Sequence, residues 1–141
     1  EDIRVDNLYG IKVQITEVLY NLLDNAYEAI EAKYEGLKEE EKSNYKGKIK
    51  IIVNGQISSV IIEIRDNGIG IKGEDKLKIF APFFTTKSSY KPLSKIKSGT
   101  GIGMYVAKRL IEENHKGRIW FESEYNKGTT FYIELPRKRE K

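Results

Sequence analysis

The sequence predicts a two-layer α/β sandwich, with a mixed, mostly antiparallel sheet packed on about three helices and a mobile lid loop. Three observations lead there. Residues 12–33 carry Ile15, Val18, Leu19, Leu22, Leu23, Ala26 and Ile30 at spacings of three and four, which builds one apolar stripe along a helix. Residues 49–53, 60–65, 118–122 and 129–135 are short runs rich in β-branched and aromatic side chains, as strands require. These runs follow one another in pairs across short turn signals, which disfavours a doubly wound parallel sheet.

The elements follow in chain order. Ile3-Arg4-Val5-Asp6 suits a short edge strand. After the long helix, Gly36 and the sign-balanced stretch 38–48 suggest a surface connection with one extra helical turn. Asn54-Gly55 is a hairpin signal between the first strand pair. Asp66-Asn67-Gly68-Ile69-Gly70 then forms a Gly-rich turn, followed by a short helix over residues 75–80. Residues 102–113 read as a second amphipathic helix, and Asn126-Lys127-Gly128 as the turn of the closing strand pair.

Composition bounds the chemistry. The 141 residues make one domain, with 39% hydrophobic and 33% charged residues. No apolar run approaches the ~20 residues of a membrane span. Without Cys there is no thiolate site, and one His excludes a multi-His metal cluster. The net charge is 25 − 21 = +4, and residues 136–141 carry four basic residues against one Glu. A basic tail of that kind is a weak sign of nucleic acid, which needs a patch on the folded face. Residues 85–98 hold Lys87, Lys91, Lys95 and Lys97 and no acid. That suits a solvated loop or a cover over an anion, and composition does not choose.

On the first helix, Glu17, Asn21, Asn25 and Glu28 fall within a sector of about 80° beside the apolar stripe. Asn is a poor helix former, so two of them one turn apart suggest more than a solvated face. A carboxamide oxygen suits Mg²⁺ in a weak site completed by phosphates and water. On the second strand Ile62, Ile64 and Asp66 alternate onto one face, so Asp66 points into the layer between sheet and helices. An acceptor-only carboxylate there suits the exocyclic amine of adenine. It equally suits the Asp of an Asp-Asn-Gly turn. Gly99-Thr100-Gly101-Ile102-Gly103 opens the second helix, where free N–H groups and the positive dipole end suit phosphate. Gly68-Ile-Gly-Ile-Lys-Gly73 matches G-x-G-x-x-G, but no βαβ unit surrounds it, and the phosphate loop ending in Gly-Lys-Ser/Thr is absent.

In this order the elements resemble the nucleotide-binding domain shared by bacterial sensor histidine kinases, gyrase B, the MutL mismatch-repair protein and the 90-kDa heat-shock chaperones. The N box resembles Glu17-Val-Leu-Tyr-Asn-Leu-Leu-Asp-Asn-Ala-Tyr-Glu-Ala29, and the first glycine box resembles Asp66-Asn-Gly-Ile-Gly70. The F box is similar to Ile79-Phe-Ala-Pro-Phe-Phe-Thr-Thr-Lys87, the second glycine box to Gly99-Thr-Gly-Ile-Gly-Met104, and the closing strand motif to Gly128-Thr-Thr-Phe131. The Pro-Phe-Phe-Thr-Thr-Lys form resembles the branch of nitrogen-regulation and sporulation kinases.

The resemblance implies ATP and Mg²⁺ as cofactors. It makes Asn25 the metal ligand, sets Asn21 near the phosphates, and gives the adenine amine to Asp66 with Thr129 nearby. Gly68 and Gly70 would let the backbone approach the base. A lid over about 73–98 would be anchored by Phe80 and Phe83, with Lys87 reaching a phosphate. Thr100, Gly101, Ile102, Gly103 and Met104 would contact ATP, with Gly101 and Gly103 as hinges. The gyrase and chaperone branches place a Glu one turn before the metal-binding Asn; here Asn21 stands there, and a carboxamide is no general base. That favours phosphoryl donation over hydrolysis. Glu28 and Ala29 replace the Lys and Tyr of many histidine kinases. His115, in Asn114-His-Lys-Gly117, is a structural position and not the acceptor.

Residues 1–141 are thus expected to be the catalytic ATP-binding domain of a longer protein. The expected partners are a phosphoacceptor histidine domain of the same protein, a homodimer mate and a response regulator. Nucleic acid is not expected, the location is cytoplasmic, and any membrane contact lies in other regions. The competing expectations are a nucleotide-sensing pseudo-kinase and a hydrolytic ATPase.

Overall fold

The computed structural model describes residues 12–82, 84 and 102–137. Helix α1 runs Lys12–Gly36, a single turn α2 Glu39–Lys42, and strands β1 Ile49–Gly55 and β2 Ser59–Asp66 follow. A 3-10 turn spans Gly73–Lys78. Helix α3, Ile102–Arg109, continues as a π-helical turn, Leu110–Asn114. Strands β3 Arg118–Glu124 and β4 Gly128–Pro136 close the described chain.

The sheet order is β1-β2-β4-β3, and every neighbouring pair is antiparallel. Alternation sets its two faces. Val60, Ile62 and Ile64 of β2, Phe131, Ile133 and Leu135 of β4, and Ile119 of β3 are buried against the helices. Val18, Leu22 and Ala26 supply the matching stripe of α1, and Met104, Ala107 and Ile111 that of α3 and its continuation. On the other face Trp120 stacks on Tyr132 with ring centroids 5.1 Å apart, and Arg118 covers Trp120 while pairing with Glu134.

Three local details differ from the sequence expectation. The first hairpin does not turn at Asn54-Gly55: both pair with β2, and the turn is 56–58, closed by Gln56 N donating to Ser59 O at 2.8 Å. Burying Val60, Ile62 and Ile64 together sets the register, and a one-residue slip would turn all three outward. The second helix widens into π geometry at its end. Glu28, placed by its angle in the polar sector, is buried. The expected edge strand at residues 3–6, most of the lid and the tail beyond residue 137 lie outside the described residues.

Candidate functional site

The site forms at the end of the sheet where β2 stops. Asp66, Thr129 and Ser123 are register partners across β2, β4 and β3. Each continues a buried alternation: Ile64 precedes Asp66, Phe131 follows Thr129, and Phe121 precedes Ser123. Together they make a polar row on the face that is otherwise the core.

Asp66 ends β2. Its Oδ1 accepts the Gly68 amide at 2.8 Å, so it holds the turn, as an Asp-Asn-Gly sequence allows. Burial pushes its carboxyl up to about 6 from the ordinary 3.8, with the amides of Gly68 and Thr129 pulling the other way. Tyr45, beside this carboxylate, has its phenol raised by burial and by the Asp66 charge, and donates to Asn67 O at 2.9 Å.

The first glycine box is shaped by the protein around it. A Cβ at Gly68 would lie 2.5 Å from the Ala29 carbonyl carbon, and Ile69 N donates to Ala29 O at 3.0 Å. The turn therefore rests on the backbone of α1, one turn beyond Asn25. Gly70 has φ +77° and abuts the Glu124 carbonyl, so both its conformation and its contact demand glycine. The β3–β4 hairpin is tied to this turn by Ile71 N donating to Ser123 Oγ at 2.9 Å. It is tied to α1 by Lys33 Nζ donating to Asn126 O at 2.7 Å, and to the 3-10 turn Gly73–Lys78 by Lys76 Nζ donating to Ser123 O at 2.6 Å.

On α1, Asn21 and Asn25 are half-buried. Asn21 Nδ2 reaches Gly103 O at 3.5 Å, and a Cβ at Gly103 would come within 3.3 Å of the Asn21 Cγ. The N box and the second glycine box thus touch. Met104 is buried in the core, and Thr129 is buried at the row. Lys87, Thr100, Gly101, the Ile102 side chain and Phe83 lie outside the described residues. A shallow cleft of about 380 Å³ is lined by Asp66, Ser123 and Thr129, and by Glu122, Lys127 and Thr130. Thr130 and Glu122 alternate onto the outer sheet face, so the cleft wraps the sheet end, and neither Asn21 nor Asn25 lines it.

Sequence reading missed Ser123 and the Lys33, Asn67 and Lys76 contacts. Ser123 carried the same signal as Asp66: a polar residue ending a buried alternation, here after Ile119 and Phe121. Glu122 and Glu124 on either side masked it. Among the described residues no three His, Cys, Asp or Glu side chains converge as a metal cage. His115 is fully buried with Nδ1 2.8 Å from Leu110 O, a structural placement.

Residues 10–139 match the family described as histidine kinase-, DNA gyrase B- and HSP90-like ATPases. The chain belongs to this ATPase family. It is 36% identical over 129 residues to sensor protein RprX of Bacteroides fragilis, covering 92% of this chain and 22% of that protein. It is 38% identical over 125 residues to sporulation kinase E of Bacillus subtilis, covering 87% and 14%. The chain therefore spans about a fifth or less of the length of these relatives. The catalytic domain of histidine kinase ThkA superposes with a TM-score of 0.67 at 34% identity, covering 92% of this chain and 71% of that one. ThkA in complex with the response regulator TrrA matches with a TM-score of 0.60 at 32% identity, over 89% of this chain and 29% of that chain. The ATPase domain thus has the α/β fold of a histidine kinase catalytic domain, and ATP is the ligand its family implies.

Proposed function

We propose that this ATPase domain binds Mg·ATP at the sheet end and donates the γ-phosphoryl group to a histidine on an adjoining phosphoacceptor domain. The observation that carries this reading is the meeting of the boxes. Asp66 and Thr129 pair across two strands, their turn rests on Ala29 one helical turn from Asn25, and Asn21 touches Gly103. A base at Asp66 and phosphates at the Asn21–Gly103 contact would use both ends of that arrangement.

In the transfer, an imidazole nitrogen of the acceptor forms a bond to the γ phosphorus while the bond to the β–γ bridging oxygen breaks, leaving ADP. The protein positions the ends in line and offers charge and hydrogen bonds. Asn25 fits a Mg²⁺ ligand by chemistry: a neutral carboxamide, with no acidic cage among the described residues, suits a metal held largely by phosphate and water. The ion would neutralise phosphate charge there. Lys87 is assigned a phosphate, and the lid the range of about 73–98. Thr100, Gly101, Ile102, Gly103 and Met104 are assigned the second glycine box. The Pro-Phe-Phe-Thr-Thr-Lys motif supports the nitrogen-regulation and sporulation branch. Asn21 in place of a Glu supports a donor over a hydrolase.

In this reading the parent is a homodimeric sensor kinase whose catalytic domain faces the cytoplasm and whose product passes to a response regulator. Isolated domain, labelled ATP and a His-bearing acceptor hairpin test it together. Label should appear on the hairpin and not on the domain. Nucleotide binding without transfer would make it a sensing module, and rapid phosphate release without acceptor would make it a hydrolase.

A further inference from the structure

Ser123 lies one strand away from the base-binding pair and makes three contacts through a single hydroxyl. Ile71 N donates to its Oγ at 2.9 Å. Its Oγ lies 3.0 Å from Gly128 O and 2.8 Å from Thr129 Oγ1. A serine hydroxyl has one proton and two lone pairs. The Ile71 amide can only donate, and the Gly128 carbonyl can only accept. Satisfying both uses the serine proton toward Gly128 and one lone pair toward Ile71. The contact with Thr129 is then completed by the threonine's proton, received on the second serine lone pair.

The consequence falls on Thr129. With its proton committed to Ser123, its hydroxyl presents only lone pairs to the face it shares with Asp66. Thr129 and Asp66 are direct cross-strand partners, so their Cβ atoms stand about 4.5–5.5 Å apart. An amine nitrogen with two N–H donors can meet two acceptors that stand side by side on one face of neighbouring strands. The row therefore matches a group with two N–H donors on one nitrogen and opposes a carbonyl.

We infer that Ser123 is a positioning residue that sets the polarity of Thr129, making the row a double acceptor for a 6-amino purine and excluding a 6-oxo purine. The inference rests on the ATP-binding reading above. Ser123 also ties the row to the 3-10 turn Gly73–Lys78, because its carbonyl holds Lys76 Nζ.

The test compares ATP with ITP, which differs by a carbonyl in place of the 6-amine, by displacement of a fluorescent nucleotide from the domain. The wild type should bind ATP at least tenfold more tightly. In Ser123→Ala the Thr129 proton is released and can turn toward a carbonyl, so the ITP-to-ATP ratio of dissociation constants should fall about fivefold or more. Ser123→Thr keeps the hydroxyl and should restore the wild-type ratio. If the alanine variant does not fold, Ser123→Cys keeps the volume with a weak acceptor and reads the same ratio. Loss of affinity for both nucleotides with an unchanged ratio marks a purely structural serine and overturns the inference. Failure of the wild type to bind ATP overturns instead the functional reading beneath it.

Discussion

Replacing Asp66 by Asn separates binding from stability at one atom. The carboxyl sits at about 6 in the fold against 3.8 in its ordinary state. The raised value means the folded protein prefers the protonated form. The penalty for ionising Asp66 therefore vanishes below about pH 3, where both states are protonated, grows as pH rises toward 6 and is constant above. The rise from 3.8 to about 6 corresponds to on the order of 3 kcal/mol against the fold at pH 7.5, and about 1 kcal/mol at pH 4.5. An asparagine keeps the shape, keeps an oxygen for the Gly68 amide and carries no charge. Asp66→Asn should thus raise stability by about 2 kcal/mol more at pH 7.5 than at pH 4.5. For a domain of this size that is a gain in melting temperature of roughly 6–8 °C between the two pH values. The same variant turns an acceptor into a group that can present N–H, so ATP affinity should fall at least about tenfold. Thermal melts at the two pH values, with nucleotide titration at the higher, read both. A melting difference that does not change with pH would refute the burial argument, and unchanged ATP affinity would refute the base contact.

Other outcomes follow from the same contacts. ATP affinity of the wild type should weaken about tenfold from pH 7 to pH 5, because only ionised Asp66 is acceptor-only; adenosine, which carries no phosphate, should show the same trend in a titration series. Gly68→Ala places a methyl against the Ala29 carbonyl and should destabilise the domain by roughly 1–3 kcal/mol in denaturant melts. Gly103→Ala meets Asn21 at 3.3 Å. Asn21 must give way, so nucleotide affinity should drop several-fold with little change in melting temperature. Asn21→Glu should raise ATP hydrolysis above the wild-type rate in a phosphate-release assay; no increase would remove the reason given for its being a donor.

The parts of the site governed by period were legible in the sequence. Asp66 stood out because Ile62 and Ile64 fix the buried face, and the α1 stripe because Val18, Leu22 and Ala26 recur at helical spacing. What escaped depends on contacts between distant segments. Nothing local in Asn54-Gly55 says that both pair with β2; the burial of β2 decides that. Gly68 reads as a flexible turn residue, yet its small size is demanded by Ala29, 39 positions earlier. Glu28 follows the angular sector of Asn21 and Asn25, but the angle alone gives no depth, and it is buried while Glu17 at the other end is exposed. The π-helical turn leaves no compositional mark; it joins Gly117 N to Ile111 O at 2.8 Å and so delivers the chain to β3.

The two ends of the site differ in how firmly they are held. Around Asp66 and Ser123 several ties are short: Asp66 to Gly68, Ile71 to Ser123, Lys33 to Asn126 and Tyr45 to Asn67 are at 2.9 Å or less, and Ser123 to Gly128 and Ile69 to Ala29 are at 3.0 Å. Asn21 Nδ2 lies 3.5 Å from Gly103 O, at the limit of what counts as a hydrogen bond. A preorganised base pocket binds with little ordering cost. On the proposed reading, the long Asn21–Gly103 bond would leave the phosphate end room to adjust, while the helices themselves stay packed through Leu22 and Met104. If the domain is the phosphoryl donor proposed above, it would use that division, the base staying fixed while the γ-phosphate is presented to an acceptor on another domain. Altering this contact, as Gly103→Ser would by pressing its side chain against the Asn21 carboxamide, should therefore reduce transfer to an acceptor hairpin more than it reduces ATP binding. Equal losses in the two assays would show that the contact serves binding alone.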